Sequence, residues 1–189
     1  MNSLIRNLAC ALLVLGSASI CFAQMVPVDL RATILVRGLA YERNLATETG
    51  ALKLVILGEA SGSSSRDAVA FDTKVRSLAE RFTVGARAIR SRRVTFVNPA
   101  QAMTAIREYD ADAVYLAAGL ESAASSLGDR LISDGRLLMC GSSTAVGRGC
   151  ALSVEVHDNR PRLVVDLDRA RRAGRNFDAR LLRLARVVQ

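Results

Sequence analysis

Between residues 30 and 140, two kinds of hydrophobic pattern alternate along the chain. In one kind, apolar residues recur every three or four positions, which predicts amphipathic helices. In the other, apolar residues follow one another without interruption, as in strands that are covered on both faces. Such alternation predicts a mostly parallel sheet with right-handed crossovers and helices on both faces. The predicted helices span residues 30–45, 64–82, 99–109 and 120–131, and the predicted strands span 52–57, 94–97, 113–117 and 137–140.

Local sequence signals indicate where several of these helices begin and end. Gly50 is a typical stop signal after the first helix. Ser64 and Asp67, three residues apart, match a capping box that opens the second helix after the Gly/Ser-rich loop 58–65. Pro99 suits the first turn of the third helix, because proline lacks the amide hydrogen that is unpaired there anyway.

After residue 150 the pattern changes to a strict alternation of apolar and polar residues. Residues 152–156 and 163–167 both alternate, and Asp158–Asn159 between them is a good tight-turn pair. These features predict an antiparallel hairpin appended to the parallel sheet. The last predicted element is a helix over residues 178–188. Because no linker divides the chain, we expect one α/β domain over residues 24–189.

The first 23 residues have the pattern of a secretory signal peptide. Arg6 supplies a positive charge, and an apolar stretch of about 16 residues, shorter than the roughly 20 that span a bilayer, ends at Ala23. A lipoprotein signal ending at Cys21 is disfavoured, because Ile20 stands where a small residue is needed. An uncleaved membrane anchor is the alternative. We expect cleavage after Ala23 and a location in the periplasm.

Removal of this signal would leave two of the four cysteines. Cys10 and Cys21 lie within it, whereas Cys140 and Cys150 remain as a pair in an oxidising compartment. Such a pair predicts a disulfide bond. The loop between them contains three glycines, so that its backbone can bring the two sulfurs together. The bond could be purely structural, or it could be a redox-sensitive brake on partner binding.

The net charge of +8 raises the question of an acidic partner. Most of the positive charges are arginines, which could serve an acidic protein, anionic lipid or nucleic acid. Alternatively, codon bias towards arginine has spread them over solvated faces. Nucleic acid is excluded as a partner, because an exported protein rarely meets it and aromatic residues, at 4%, are too few to stack on bases.

Catalytic chemistry finds little support in the sequence. His157 is the single histidine and stands beside the predicted hairpin turn. No serine lies in a nucleophile-elbow sequence, and soft metal ligands are few. Asp166 and Asp168 are expected to form ion pairs with Arg169 and Arg171. We therefore predict no catalytic residues, no metal site and no cofactor.

Two loops are candidates for contact with a small ligand or a partner. In a doubly wound sheet, loop 58–65 and segment 117–121 would flank the switch point at which ligands usually bind. Ser61, Ser63, Gly119 and Glu121 are the candidate residues there. An ordinary surface loop is the alternative, because the glycines of loop 58–65 match neither a P-loop nor a dinucleotide fingerprint.

The arginine-rich tail is a second candidate contact surface. Arg180, Arg183 and Arg186 recur at helical spacing on the outer face of the predicted C-terminal helix. They could form a docking strip for an acidic periplasmic domain, with a salt-dependent association rate. A solvated helix face is the alternative interpretation.

Several stretches, taken together and in order, resemble the YfiR-like family. No single motif is sharp, and the specificity comes from their combination over nearly all of the predicted mature chain. Asp166 stands where members usually have Asn, and one cysteine pair is present where the best-known members have two. The stretches are residues 35–45 (LVRGLAYERNL), 52–58, 113–121 (AVYLAAGLE), 151–156 (ALSVEV), 162–167 (RLVVDL) and 170–188.

The resemblance implies a periplasmic protein with a three-layer α/β fold, often dimeric. The best-known members inhibit an inner-membrane diguanylate cyclase, and an outer-membrane lipoprotein can sequester the inhibitor, which links envelope stress to cyclic-di-GMP and biofilm formation. We therefore expect a non-enzymatic periplasmic regulator that acts by binding an inner-membrane signalling protein. A periplasmic small-ligand-binding module and a hydrolase with an unrecognised site are the two alternatives.

Overall fold

In the computed structural model, which describes residues 25–189, eight strands form a single mixed sheet. The predicted signal peptide, with Cys10 and Cys21, lies outside the described residues. The strands are β1 (Leu52–Gly58), β2 (Thr83–Val84), β3 (Arg87–Thr95), β4 (Ala113–Leu116), β5 (Leu137–Cys140), β6 (Leu152–His157), β7 (Arg160–Asp166) and β8 (Arg186–Val188). Their order across the sheet is β2-β3-β1-β4-β5-β6-β7-β8. Strands β3, β1, β4, β5 and β6 are parallel, β2 and β7 are antiparallel to their neighbours β3 and β6, and β8 is parallel to β7.

Helices cover both faces of this sheet, which gives the three layers that the family resemblance implied. The helices are α1 (Val28–Leu39), α2 (Arg43–Thr47), α3 (Gly62–Ala79), α4 (Pro99–Tyr109), α5 (Ala124–Ser133), α6 (Leu167–Arg172) and α7 (Ala179–Leu184). Helices α1 and α3 pack together on one face, and α5 packs between α4 and α6 on the other. The predicted α/β fold class, with its C-terminal hairpin, is confirmed.

The central strands match the sequence prediction because both of their faces are covered. Every residue of β4 and β5 is buried, and β1 is buried except at Lys53. The strand predicted at 94–97 is too short: β3 begins at Arg87, and its outward residues are mostly exposed arginines. Charged side chains break the apolar run there, and the two-residue strand β2 was missed for the same lack of an apolar signal.

The first predicted helix, over residues 30–45, is two helices in the structure. Helix α1 ends at Leu39, and α2 begins at Arg43. The predicted inward face is also partly wrong, because Leu30 and Tyr41 are exposed whereas Arg31 lies in the core. The sequence could not show this, because a buried arginine requires a partner from elsewhere in the chain.

The C-terminal hairpin is confirmed, whereas the terminal helix is shorter than predicted. Asp158 and Asn159 both have positive φ, 49° and 58°, as a two-residue type I′ turn requires. Helix α7 ends at Leu184, and the chain continues as β8, which pairs with the outer edge of β7. The pair Val187–Val188 is β-branched, and a free strand edge beside it favours an extended conformation over another helical turn.

Candidate functional site

A topological switch point lies between β1 and β4. Strand β3 lies on one side of β1 and β4 on the other, so that successive crossovers run in opposite directions from β1. The loops after the two strands therefore meet at the carboxyl edge of the sheet, where ligands of open α/β sheets usually bind. The prediction that loops 58–65 and 117–121 flank this point agrees with the topology.

The structure brings most of the candidate residues of these loops together. A Cβ atom built on Gly119 would lie 3.7 Å from the hydroxyl oxygen of Ser63, so the two residues are neighbours. The carboxylate of Glu121 accepts a hydrogen bond from the amide of Gly119 at 3.0 Å. Ser61 is the N-cap residue of α3, and like Ser63 it is exposed. Gly119 is exposed as well, and Glu121 is half-buried; we refer to these four residues as the polar rim.

The capping box predicted for α3 is wrong. The helix begins at Gly62, two residues before Ser64. The Ser64 hydroxyl donates to the carboxylate of Glu59 at 2.6 Å instead of accepting from the helix, and the Asp67 carboxylate turns into the core. The hydrogen bonds that these two side chains form each involve a charged group. Such bonds are stronger than hydrogen bonds between neutral groups, and they replace the capping bonds at the helix terminus.

Beneath the rim, a buried ion pair joins α1 to α3. Arg31 is 1% exposed and donates to the Asp67 carboxylate, which also accepts from the Tyr115 hydroxyl at 2.6 Å and from the amide of Ala118 at 3.2 Å. The other terminal nitrogen of Arg31 donates to the carbonyl of Gly141 at 2.9 Å. One polar cluster thereby fixes two helices, strand β4 and the segments that follow β4 and β5.

Tyr115 stays protonated within this cluster. Burial of the phenol, with the neighbouring Asp67 carboxylate adding to the effect, raises its pKa well above the ordinary value, although Arg31 acts in the opposite direction. The ring of Phe71 stacks on the ring of Tyr115, with centroids 3.5 Å apart and planes 9° from parallel. The neutral phenol can therefore serve as a permanent donor to Asp67.

The sequence analysis did not predict that Arg31, Asp67 and Tyr115 form one buried cluster. A signal was present in the helices: Arg31 stands four positions before buried Leu35, and Asp67 four positions before buried Phe71. A charged residue that continues an apolar face at this spacing indicates a buried ion pair. The identity of its partner, however, depends on packing that the sequence does not reveal.

The predicted disulfide is present, and it closes the loop between β5 and β6. The Cα atoms of Cys140 and Cys150 are 6.0 Å apart, and both residues are buried. The hydroxyl of Ser153 donates to the carbonyl of Cys140 at 2.9 Å. A Cβ atom on Gly141 would lie 2.5 Å from the backbone nitrogen of Ala118, so only glycine fits where the disulfide loop meets the rim.

The arginines of the predicted C-terminal strip do not share one helical face. Arg180 pairs with Asp178 at 3.1 Å, and the hydrogen bond from its side chain lowers the pKa of that carboxyl. Arg183 is exposed on α7, whereas Arg186 lies on β8 and pairs with Glu155 at 2.8 Å. The prediction of a continuous strip on one helix is therefore wrong, because α7 ends before Arg186. That each of the three arginines contacts a partner stays a prediction.

The remaining polar candidates have structural partners. Asp166 caps α6 by accepting from the amide of Arg169 at 2.9 Å, and its carboxylate pairs with the side chain of Arg169, as predicted. Asp168 and Arg171 are exposed, and among residues 25–189 neither forms the predicted ion pair. His157 is exposed at the hairpin turn, 3.4 Å from Asp158. Within residues 25–189, no three His, Cys, Asp or Glu side chains are grouped so that they could hold a metal ion. None of the helices described has both the length and the apolar character that crossing a membrane requires.

The fold and its polar rim define a three-layer α/β protein with a switch point at the carboxyl edge of its sheet. The chain belongs to the YfiR/HmsC-like family, whose model matches residues 29–186. This family is one of periplasmic regulators. Among curated proteins, no relative matches the chain.

Solved structures of similar fold come from three bacteria. A conserved domain protein from Vibrio cholerae O1 biovar El Tor is 14% identical with a TM-score of 0.63, over 86% of this chain and 60% of that one. A ligand-free, open substrate-binding protein with adhesive properties from Clostridium difficile is 10% identical with a TM-score of 0.59, over 87% and 60%. The ABC domain in complex with L-Trp from Streptococcus pneumoniae is 11% identical with a TM-score of 0.58, over 86% and 62%. At such identities the likeness concerns the fold, and this chain spans about three fifths of each structure's length.

Proposed function

We propose that this chain is a non-enzymatic periplasmic regulator that binds the periplasmic part of an inner-membrane diguanylate cyclase and holds the enzyme inactive. The observation that carries the proposal is the family match over residues 29–186. The match begins at the second residue of α1 and ends at the first residue of β8, so it includes nearly all of the helices and strands. A match of this extent concerns the whole fold rather than one motif. The family's characteristic activity is regulation through protein–protein binding.

The polar rim is a suitable contact surface for such a regulator. Its loops are fixed from below, because the amide of Ala118 bonds to Asp67 and the carbonyl of Gly141 to Arg31. A surface that is ordered before binding loses little conformational entropy when a partner docks. We therefore propose that Ser61, Ser63, Gly119 and Glu121 contact the partner. We also propose that an outer-membrane lipoprotein or a second copy of the chain can bind the regulator in competition with the cyclase.

The proposal is tested by deleting the gene and measuring cellular cyclic-di-GMP. We expect the nucleotide level and biofilm mass to rise, and expression of the full chain to restore both. A chain that lacks residues 1–23 is the matched control: it stays in the cytosol and should not restore them. An unchanged cyclic-di-GMP level in the deletion strain would rule out inhibition of a cyclase.

A small-ligand-binding module is the second candidate function. Two solved proteins of similar fold are described as a substrate-binding protein and as a domain in complex with L-Trp. The switch point between β1 and β4 is the place where a fold of this kind usually binds its ligand. A ligand that binds only the folded protein raises its melting temperature, so a shift with L-Trp or another amino acid, abolished by Gly119→Trp, would favour this function.

A further inference from the structure

Strand β3 has a long open edge. On its inner side it pairs with β1 from Ile89 to Thr95, whereas on its outer side β2 pairs only with Arg87 and Ala88. In the part of the chain that the structure describes, no strand covers the outer side of residues 89–95. The amide of Phe96 donates to Gly58 in β1, and strand alternation then directs the backbone groups of residues 89, 91, 93 and 95 outward. These unpaired groups can form the ladder of one more strand.

A shallow cavity lies at this edge. It has a volume of about 310 Å³, and its lining includes the apolar residues Val75 and Ile89, the ring of Tyr109 and the side chain of Arg90. A second cavity, of about 180 Å³, lies inward of the edge, because Ile56 of β1 lines it. An extended segment along β3 could place a side chain in the first cavity, as strand-adding ligands do in other proteins.

The edge is also strongly basic. Arg90, Arg92 and Arg93 are all exposed. Arg93 is partly compensated, since it lies 3.4 Å from Asp72, and Arg92 lies over the ring of Tyr109 at 5.6 Å. Neither Arg90 nor Arg92 forms an ion pair with any residue that the structure describes. Two uncompensated positive charges therefore lie on the same face of an open strand.

These charges determine which occupant the edge can accept. Pairing of two β3 edges from two copies of the chain would bring arginines against arginines, and like charges on paired strands are destabilising. A strand that carries Asp or Glu would gain both the backbone ladder and charge complementarity. We infer that the outer edge of residues 89–95 is a docking surface for an extended acidic segment of a protein partner, which adds to the sheet as a further strand. Its assignment to an inner-membrane partner rests on the proposed function; the docking surface itself does not.

The test uses the purified protein and short synthetic peptides. The probe alternates valine with glutamate; one control has lysine in place of glutamate, and another has a central proline, which cannot complete the ladder. We expect the acidic peptide alone to bind, to shift the amide resonances of residues 89–95, and to bind about tenfold more weakly to Arg90→Glu/Arg92→Glu. The matched control is Arg171→Glu/Arg172→Glu, which makes the same change of charge at exposed sites on α6, at the far end of the sheet, and should bind as the unchanged protein does.

Several results would overturn the inference. Equal binding of the acidic and basic peptides, equal losses in the two charge-reversed variants, or resonance shifts outside the edge would each show that β3 is not a specific strand-binding site. A self-associating protein that becomes monomeric in Arg90→Glu/Arg92→Glu would assign the edge to a second copy instead. In cells, Arg90→Glu/Arg92→Glu could still lower cyclic-di-GMP as fully as the unchanged protein does. That result would show that the β3 edge has no part in regulation, and it would leave the proposed function intact. An unchanged cyclic-di-GMP level in the deletion strain would remove the proposed function, while peptide binding would still support the edge.

Discussion

Arg31 and Asp67 show how single residues of this chain depart from the simple pattern of apolar inside and polar outside. Both are buried, and they bind each other across the contact between α1 and α3. In an interior, the loss of one charged partner is more costly than the replacement of both by apolar groups, because the remaining charge is left without solvation. The pair should therefore respond very differently to single and double substitution.

Asp67→Ala is predicted to lower the free energy of unfolding by about 3–5 kcal/mol, because it leaves Arg31 buried without a counter-charge. The double variant Arg31→Met/Asp67→Leu should recover part of this loss, because it removes both charges but leaves the buried Tyr115 hydroxyl without its acceptor. Urea denaturation measures both. Asp168→Ala is the control, since Asp168 is an exposed residue of α6, and a single Asp67 variant as stable as this control would contradict the role of the ion pair.

Tyr115 predicts how stability depends on alkaline pH. The unfolded chain releases the phenol proton near the ordinary pKa of 10.0, whereas the folded protein retains it. The folded state then binds more protons, so the free energy of unfolding falls as the pH rises above that value and is unaffected well below it. Tyr115→Phe should flatten this decline in denaturation experiments at increasing alkaline pH. An unchanged slope would mean that other groups cause it.

At the scale of elements, the strands that could be predicted are those whose neighbours cover both faces. The apolar runs of β1, β4 and β5 determine their own burial, and the residues Asp158 and Asn159 determine the hairpin turn. The peripheral strands β2 and β8 could not be predicted, and β3 was predicted only at its C-terminal end, because short or arginine-rich segments become strands only beside an existing edge. The predicted length of the terminal helix was wrong for the same reason. Residues 186–188 fit a helical pattern, but they pair with the free edge of β7 as a strand.

The Cys140–Cys150 bond joins two such elements, the end of β5 and the start of β6. Closing this short loop should stabilise the fold by about 3 kcal/mol, by restricting the unfolded chain. Cys140→Ser/Cys150→Ser should lower the melting temperature accordingly, and reductant should lower it in the unchanged protein but not in this variant. A loss below about 1 kcal/mol, with partner binding unaltered by reductant, would contradict both the structural and the redox interpretation.

At the scale of the whole molecule, the position of the polar rim could be predicted from the topology of the sheet. The buried polar cluster that holds the rim from below could not be predicted. Strand–helix alternation was enough to place Ser63 and Gly119 at the same sheet edge, since parallel strands end together. The cluster beneath them joins residues 31, 67, 115 and 141, which no local pattern connects. The open edge of β3 likewise became visible only once the strand order was known.

Export of the whole chain is a prediction that mass spectrometry can check. Protein recovered from the cell envelope should begin at Gln24 and carry Cys140 and Cys150 in oxidised form. Ala23→Arg should block processing, because the peptidase requires a small residue before the cut, and the precursor should then accumulate. Unprocessed chain found in the cytosol with both thiols free would contradict export.

The position of α1 has a consequence for how such a chain matures. This helix, the first element after the proposed cleavage point, packs against the β6–β7 hairpin, and Arg31 binds the carbonyl of Gly141. In a polypeptide exported N-terminus first, as we predict, α1 could meet α3 early, whereas its contacts with the hairpin and with Gly141 would form only after most of the chain has been delivered. These late contacts of the opening helix would then be made on the side of the membrane where the sulfurs can be joined.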